Sequence, residues 1–305
     1  TGRGTCPKMP GVGLRRMDRS MISRYPKLPI FLACAAVAGA IAWGPARELF
    51  IHGRPRDYYS HLPLIPVVSA YVLFRRRARL FHEAPGLPVQ GLLLALPGSA
   101  LIAAGAALGT GPVVRAELVL GGAILALAGC FLGLFGSRAL RRALFPFLFL
   151  AFLVPLPVPW MERVVAALVV GSTAVTHVLF KAFGVPFVQE GAIFRLPGFD
   201  LEVAEQCSGI RSSLALLITS VLAAQIFLRG PVRKVMLALA VFPVSIIKNG
   251  VRIVALYLLS YFIDMRIIDG GFLHKSGGFL FFGLGLVVLT LVLWALRGEE
   301  PDRPA

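Results

Sequence analysis

The sequence predicts an all-α fold: a polytopic transmembrane helical bundle of about eight spans. Three observations predict it. Apolar residues make up 57% of the 305-residue chain and charged residues only 15%. Apolar runs recur at lengths that suit a hydrocarbon core about 30 Å thick, which takes about 20 helical residues. The 31 Lys and Arg, against 15 Asp and Glu, gather in short clusters between those runs. A net charge of +16 is compatible with a nucleic-acid surface. Short basic loops between apolar spans are better explained by the positive-inside rule, so no nucleic-acid partner is expected.

Residues 1–27 are expected to form a basic cytoplasmic tail, carrying Arg15, Arg16, Arg19, Arg24 and Lys27, that need not be ordered. The sequence begins with Thr1, and Met21 would open a shorter tail, so residues 1–20 are given no functional weight. The run 28–46 exceeds the 7–15 residues (roughly) of a signal-peptide core and is expected to be a retained span. The run 58–74 returns to a cluster at Arg75, Arg76, Arg77 and Arg79. The runs 91–109 and 117–135 go out and back, ending at Arg138, Arg141 and Arg142. The run 143–157 exits. The run 208–228 returns to Arg229, Arg233 and Lys234. The runs 235–260 and 276–296 complete the count. A single membrane-embedded catalytic domain is thus expected over 28–297, with a cytoplasmic tail at 298–305.

Two basic clusters on one side must be separated by an even number of crossings. The runs 143–157 and 208–228 already supply two. The segment 160–183 is therefore expected not to cross fully. Trp160 would anchor it at the outer interface, and His177 and Lys181 interrupt its far end. A true span stays open, because 164–176 is nearly free of charge. The polar stretch 184–206 alternates at Phe187, Val188, Ile193, Phe194 and Leu196 and carries turn signals at Gly191 and Pro197-Gly198. It reads as a short extracytoplasmic hairpin leading to Cys207.

This topology puts three reactive groups at one level. Cys207 lies at the outer end of 208–228. Arg252 lies about 25 Å along the helix that starts at 235, at 1.5 Å per residue. His274 lies at the outer mouth of 276–296. The other cysteines, Cys6, Cys34 and Cys130, are placed elsewhere, so Cys207 has no partner within the 7 Å (about) that a disulfide requires. A lone thiol is either a small apolar core residue or a nucleophile. The helix start at Ser208-Gly209, and Arg211 one turn beyond the thiol, favour the thiolate. Arg252 shares one helix face with Ser245, Lys248 and Asn249. An intramembrane charge costs about 2.5–3.5 kcal/mol and is usually paired or functional. Snorkelling would account for Arg252 alone, but poorly for Asn249. His274, in GGFLHKSGG (270–278), has glycines on both sides that would free the backbone, and imidazole serves as acid or base toward a thiol. His61, in YYSHLPL (58–64), is either substrate-contacting or interfacial. Glu202 and Glu205 with one histidine make too thin a ligand set for zinc, so no metal or cofactor is expected. Gly129-x-x-x-Gly133 reads as helix packing.

Several of these strings resemble one family. AEQCSGIRSS (204–213) looks like the cysteine motif of the exosortase/archaeosortase family of membrane-embedded cysteine transpeptidases. KNGVRIVAL (248–256) looks like its Asn-x-x-Arg motif, and His274 falls where its histidine is expected. YYSHLPLIPVVSAYVLFRRR (58–77) is similar to its second span, although Leu62 stands where the family often has Gly. FPFLFLAFLVPLP (145–157) also fits. The resemblance implies that Cys207 attacks a peptide bond in the C-terminal sorting tail of a secreted protein, giving a thioacyl enzyme. His274 would move protons, and Arg252 would stabilise the thiolate or the oxyanion. Arg211, Asn249, Ser208, His61 and Glu205 would support the site or bind substrate. The tail would carry a short motif, such as Pro-Glu-Pro in PEP-CTERM systems, then one span and a basic end. The acyl group would pass to an acceptor, anchoring the product at the cell surface. The resemblance also implies a multi-pass protein of the bacterial inner membrane, with its active site on the outer face and contacts to membrane lipids. Two other readings remain at this point: an anion transporter built on the basic stripe, and a lipid-linked transferase in which Cys207 is incidental.

Overall fold

The structure, a computed structural model, describes residues 25–52, 59, 61–80, 86–109, 111–203, 209–262 and 272–298. Among them, seven helices are long and apolar enough to cross a bilayer. The chain forms two compact units, one of residues 1–48 and 63–154, the other of residues 49–62 and 155–305.

The first unit holds most of α1 (Leu28–His52), then α2 (Leu64–Arg75), α3 (Arg77–Leu80), α4 (Pro88–Ala107), α5 (Pro112–Arg142) and α6 (Leu144–Leu150). A 3-10 turn at Ala151–Leu153 continues α6. Helices α4 and α5 each begin with proline, whose fixed φ suits the first helical position and whose missing N–H is not needed there. They form an antiparallel pair along a seam of small residues. A Cβ on Gly98 would lie 2.6 Å from Ala126 N, and one on Gly129 2.6 Å from Ala95 N. The backbones are thus in direct contact, as expected where helix association in lipid rests on van der Waals packing. The expected packing role of Gly129 and Gly133 is met here: Gly91 lies against both. Helix α5 breaks at Gly136 (φ 82°, ψ 174°), and Lys27 Nζ donates to the nearby Leu134 carbonyl at 2.9 Å. Phe31, Phe135 and Phe147 surround the fully buried Phe131 with ring centroids 5.2, 4.9 and 5.3 Å away.

The second unit holds α7 (Val158–Ala182), a three-stranded antiparallel sheet, α8 (Ile210–Phe227), α9 (Pro231–Phe262) and α10 (Phe272–Arg297). The sheet runs β1 (Val188–Glu190), β2 (Ile193–Leu196), β3 (Phe199–Glu202). The expected hairpin is therefore present with one more strand. Both turns fall at the predicted glycines, Gly191 (φ 62°) and Gly198 (φ 101°). Pro197 then Gly198 suits a tight turn of this kind, because proline presets φ at the first central position and glycine takes the positive φ at the second without strain. Strand β2 buries Phe194 and Leu196 and exposes Ile193 and Arg195, the period-2 alternation of a half-covered sheet. Phe194 packs on Phe180 of α7, and Phe180 on Tyr257 of α9, with centroids 5.4 and 5.2 Å apart. The sheet thus sits over one end of the α7–α9 pair.

Residues 160–183 differ from expectation. Helix α7 has 25 residues and rises about 38 Å, more than the hydrocarbon core. It also runs parallel to α9. Gly171 abuts Ile246, Ser172 bonds Asn249, Gly250 abuts Val175, and Phe180 meets Tyr257 edge to face. Two parallel helices of this length packed side by side have the setting of two spans. Glu162, Arg163, His177 and Lys181 misled the interfacial reading. They lie in the first two and last two turns of a helix longer than the core, where charge is tolerated. Conversely, α6 with its 3-10 turn rises only about 16 Å, about half of what 143–157 would need to cross. Helix α2, with 12 residues, is likewise shorter than the span expected over 58–74.

Candidate active site

Helix α8 runs antiparallel to both α7 and α9. Near its start Ser212 meets Lys248, and near its end Gln225 Oε1 accepts from Lys234 Nζ at 2.6 Å. Helix α10 packs on the same group: Gly285 lies against Leu216 and Lys248. These pairings decide where the polar face of α9 points. Ser245, Lys248 and Asn249 are buried, with Lys248 at 5% exposure and Asn249 at 1%, and Arg252 is half-buried. The stripe read from the sequence therefore faces protein rather than lipid, as intramembrane polar groups must.

The head of α8 is built on Gly209, which has a left-handed backbone (φ 71°, ψ 14°) at the N-cap. Its carbonyl is held by three donors: Ser212 Oγ at 2.8 Å, Ser213 Oγ at 2.9 Å and Ser213 N at 2.9 Å. Ser212 Oγ in turn accepts from Lys248 Nζ. Asn249 Nδ2 donates to Ser172 Oγ of α7 at 3.0 Å, tying α7 and α9 together. A Cβ on Gly209 would lie 3.1 Å from Asn249 Oδ1. Glycine is required here twice over, for its positive φ and for this close approach. Arg252 stands one turn beyond Lys248 on the same side of α9. Among the described residues, the structure gives its guanidinium no hydrogen bond or ion pair.

Of the predicted site residues, Asn249 is thus brought to the head of α8, and Arg252 lies one turn beyond Lys248 on α9. Cys207, Ser208 and Glu205 lie outside the described residues. His274 is in the first turn of α10, and its side chain lies outside them. Gly278 is helical rather than loop, so the expected backbone freedom around His274 is not found on that side. Arg211 is in the first turn of α8 and exposed. Gly209 ahead of it is left-handed, so the one-turn helical spacing proposed between residues 207 and 211 does not apply. His61 is half-buried in the turn before α2, beside buried Leu62. Among the described residues no group of His, Cys, Asp and Glu is placed to hold a metal ion.

Ser172, Ser212 and the central place of Lys248 were not foreseen. A signal existed for the first: Ser172, Thr173 and Thr176 lie at helical spacing in α7 and all three are buried, a polar face that argues for protein on that side. Nothing in the sequence pairs Ser212 with Lys248, 36 residues apart.

The family of the transmembrane exosortases matches this chain over residues 53–291. No curated protein and no solved structure matches it.

Proposed function

Because this chain belongs to the transmembrane exosortase family, we propose that it is a membrane cysteine transpeptidase that cleaves the C-terminal sorting tail of secreted proteins. The observation that carries the reading is the meeting of Asn249 and Gly209 at the head of α8, with Arg252 one turn away. Covalent geometry alone keeps the Cα of residue 207 within about 7 Å of that of Gly209. The Cys207 thiolate attacks the scissile carbonyl carbon, and the carbonyl oxygen becomes an oxyanion. The Arg252 guanidinium, with two N–H donors in a fixed plane, suits that charge better than a point-charge ammonium. Collapse expels the amine, which takes a proton from His274, and leaves a thioester on Cys207. An acceptor amine or hydroxyl then attacks the thioester, giving its proton to the now neutral His274, and the thiolate departs. In this reading the site faces the outer side of a bacterial inner membrane, at the end of the bundle away from Arg233 and Lys234. The partners are secreted proteins bearing a sorting signal.

The test uses the full chain in proteoliposomes and a tagged protein ending in Pro-Glu-Pro, an apolar span and a basic end. The expected result is a tail-free substrate covalently joined to the enzyme, released by neutral hydroxylamine as the hydroxamate. Cleavage without any hydroxylamine-sensitive adduct, even on rapid quenching, would overturn the covalent step. Arg252→Lys keeps the charge but loses the paired donors. Turnover is expected to fall by about a hundredfold or more, the cost of one oxyanion donor, with the protein still folded in the membrane. Normal turnover would remove Arg252 from the oxyanion.

A further inference from the structure

The Lys248 side chain lies at 5% exposure among α8, α9 and α10. A buried ammonium in a span needs a reason, because lysine is costly there. Its hydrogen bond goes to Ser212 Oγ, and that hydroxyl in turn donates its own hydrogen bond to the Gly209 carbonyl. An ammonium can only donate. By occupying a lone pair of Ser212 Oγ, it favours the hydroxyl rotamer whose hydrogen points at the Gly209 carbonyl. The same carbonyl receives Ser213 Oγ and Ser213 N. The peptide plane after Gly209 is thereby fixed, in a left-handed turn against Asn249. A neutral residue of similar volume would fill the space but leave Ser212 free to turn.

We propose that Lys248 is a positioning residue for the transfer reaction: acting through Ser212, it locks the Gly209 turn at the head of α8, which lies against Asn249 and is only two residues along the chain from Cys207. This rests on the reading of Cys207 as nucleophile. The role belongs to Lys248 as a donor and not as bulk. It acts on the orientation of the nucleophile, so turnover depends on it more than substrate binding does.

The experiment measures kcat and KM with the Pro-Glu-Pro-tailed protein in proteoliposomes for Lys248→Met, Lys248→Arg, Ser212→Ala and the Lys248→Met/Ser212→Ala pair, with Cys207→Ala as reference. Lys248→Met and Ser212→Ala are each expected to lower kcat by about ten- to a hundredfold, the range for a lost hydrogen bond to a charged group, with KM changed less than about twofold. Because both act through one bond, the double variant is expected to be no slower than the slower single one. Lys248→Arg, which keeps the donor, is expected to recover part of the loss. Equal kcat for wild type, Lys248→Met and Ser212→Ala, with Cys207→Ala inactive, overturns the positioning role and leaves the nucleophile standing. Losses that multiply in the double variant overturn the route through Ser212. An active Cys207→Ala overturns the reading beneath it. If Lys248→Met does not accumulate in the membrane, the Ser212→Ala and Lys248→Arg arms decide.

Discussion

Cys207→Ala is expected to bring release of the sorting tail down to background, a loss of about three orders of magnitude or more. The size follows from the kind of residue removed. Losing a nucleophile removes the covalent path altogether, whereas losing an orienting group only raises its barrier. What survives is the binding and charge stabilisation by the neighbouring groups, which does not by itself break an amide. The substitution deletes one sulfur, so the accumulation and detergent-extracted melting of the variant should match wild type. The measurement is the ratio of full-length to tail-free tagged substrate in membranes carrying equal amounts of enzyme. Continued processing by Cys207→Ala would return Lys248 and Arg252 to an anion-binding role and leave the thiol without one.

The second large effect is on the fold, and there the sign of one chemical change reverses with position. Gly129→Ala is expected to destabilise the first unit, by about 1–3 kcal/mol, and to lower accumulation in the membrane. The new methyl would meet Ala95 N at 2.6 Å and the Gly91 carbonyl at 2.7 Å. Both are backbone atoms, so no rotamer change relieves the contact and α4 must move away from α5. That movement opens the seam at Gly98 and Gly122 as well, and in lipid no hydrophobic gain refills it. Gly39→Ala in α1 is the comparison. Nothing lies within 4 Å of its Cβ position, so the ordinary helix preference for alanine over glycine, about 0.5–1 kcal/mol, should appear undiminished. Melting of the detergent-solubilised chain followed by retained solubility would resolve the two. Equal melting of the two variants would mean that α4 and α5 are not in backbone contact.

Features of both units were legible in the chain. The α9 stripe from Ser245 to Arg252 was readable because 3.6-residue periodicity is a local property. The β2–β3 turn was readable because Pro197-Gly198 admits few conformations. The glycines of α5 carried their packing role in their spacing. That α7 is a single helix long and apolar enough to cross was not legible. Charge near its ends was weighed without its full length or its neighbour, and a loop-charge count cannot say which of two apolar segments supplies a crossing. The parallel run of α7 beside α9, through Ser172 on Asn249 and Phe180 on Tyr257, gives α7 the length and the neighbour of a span.

By itself the sequence determined a multi-pass helical protein, the existence of a polar face in α9 and the turns ahead of α8, since each follows from hydropathy, periodicity or permitted dihedral angles within a few residues. Only the tertiary structure decided that Asn249 grips α7, that Lys248 reaches Ser212, and that the left-handed Gly209 sits against Asn249. Those pairings join residues 36 and 77 positions apart. They depend on the rotation and register of whole helices, which are fixed by the fit of one surface into another and not by any local stretch of chain.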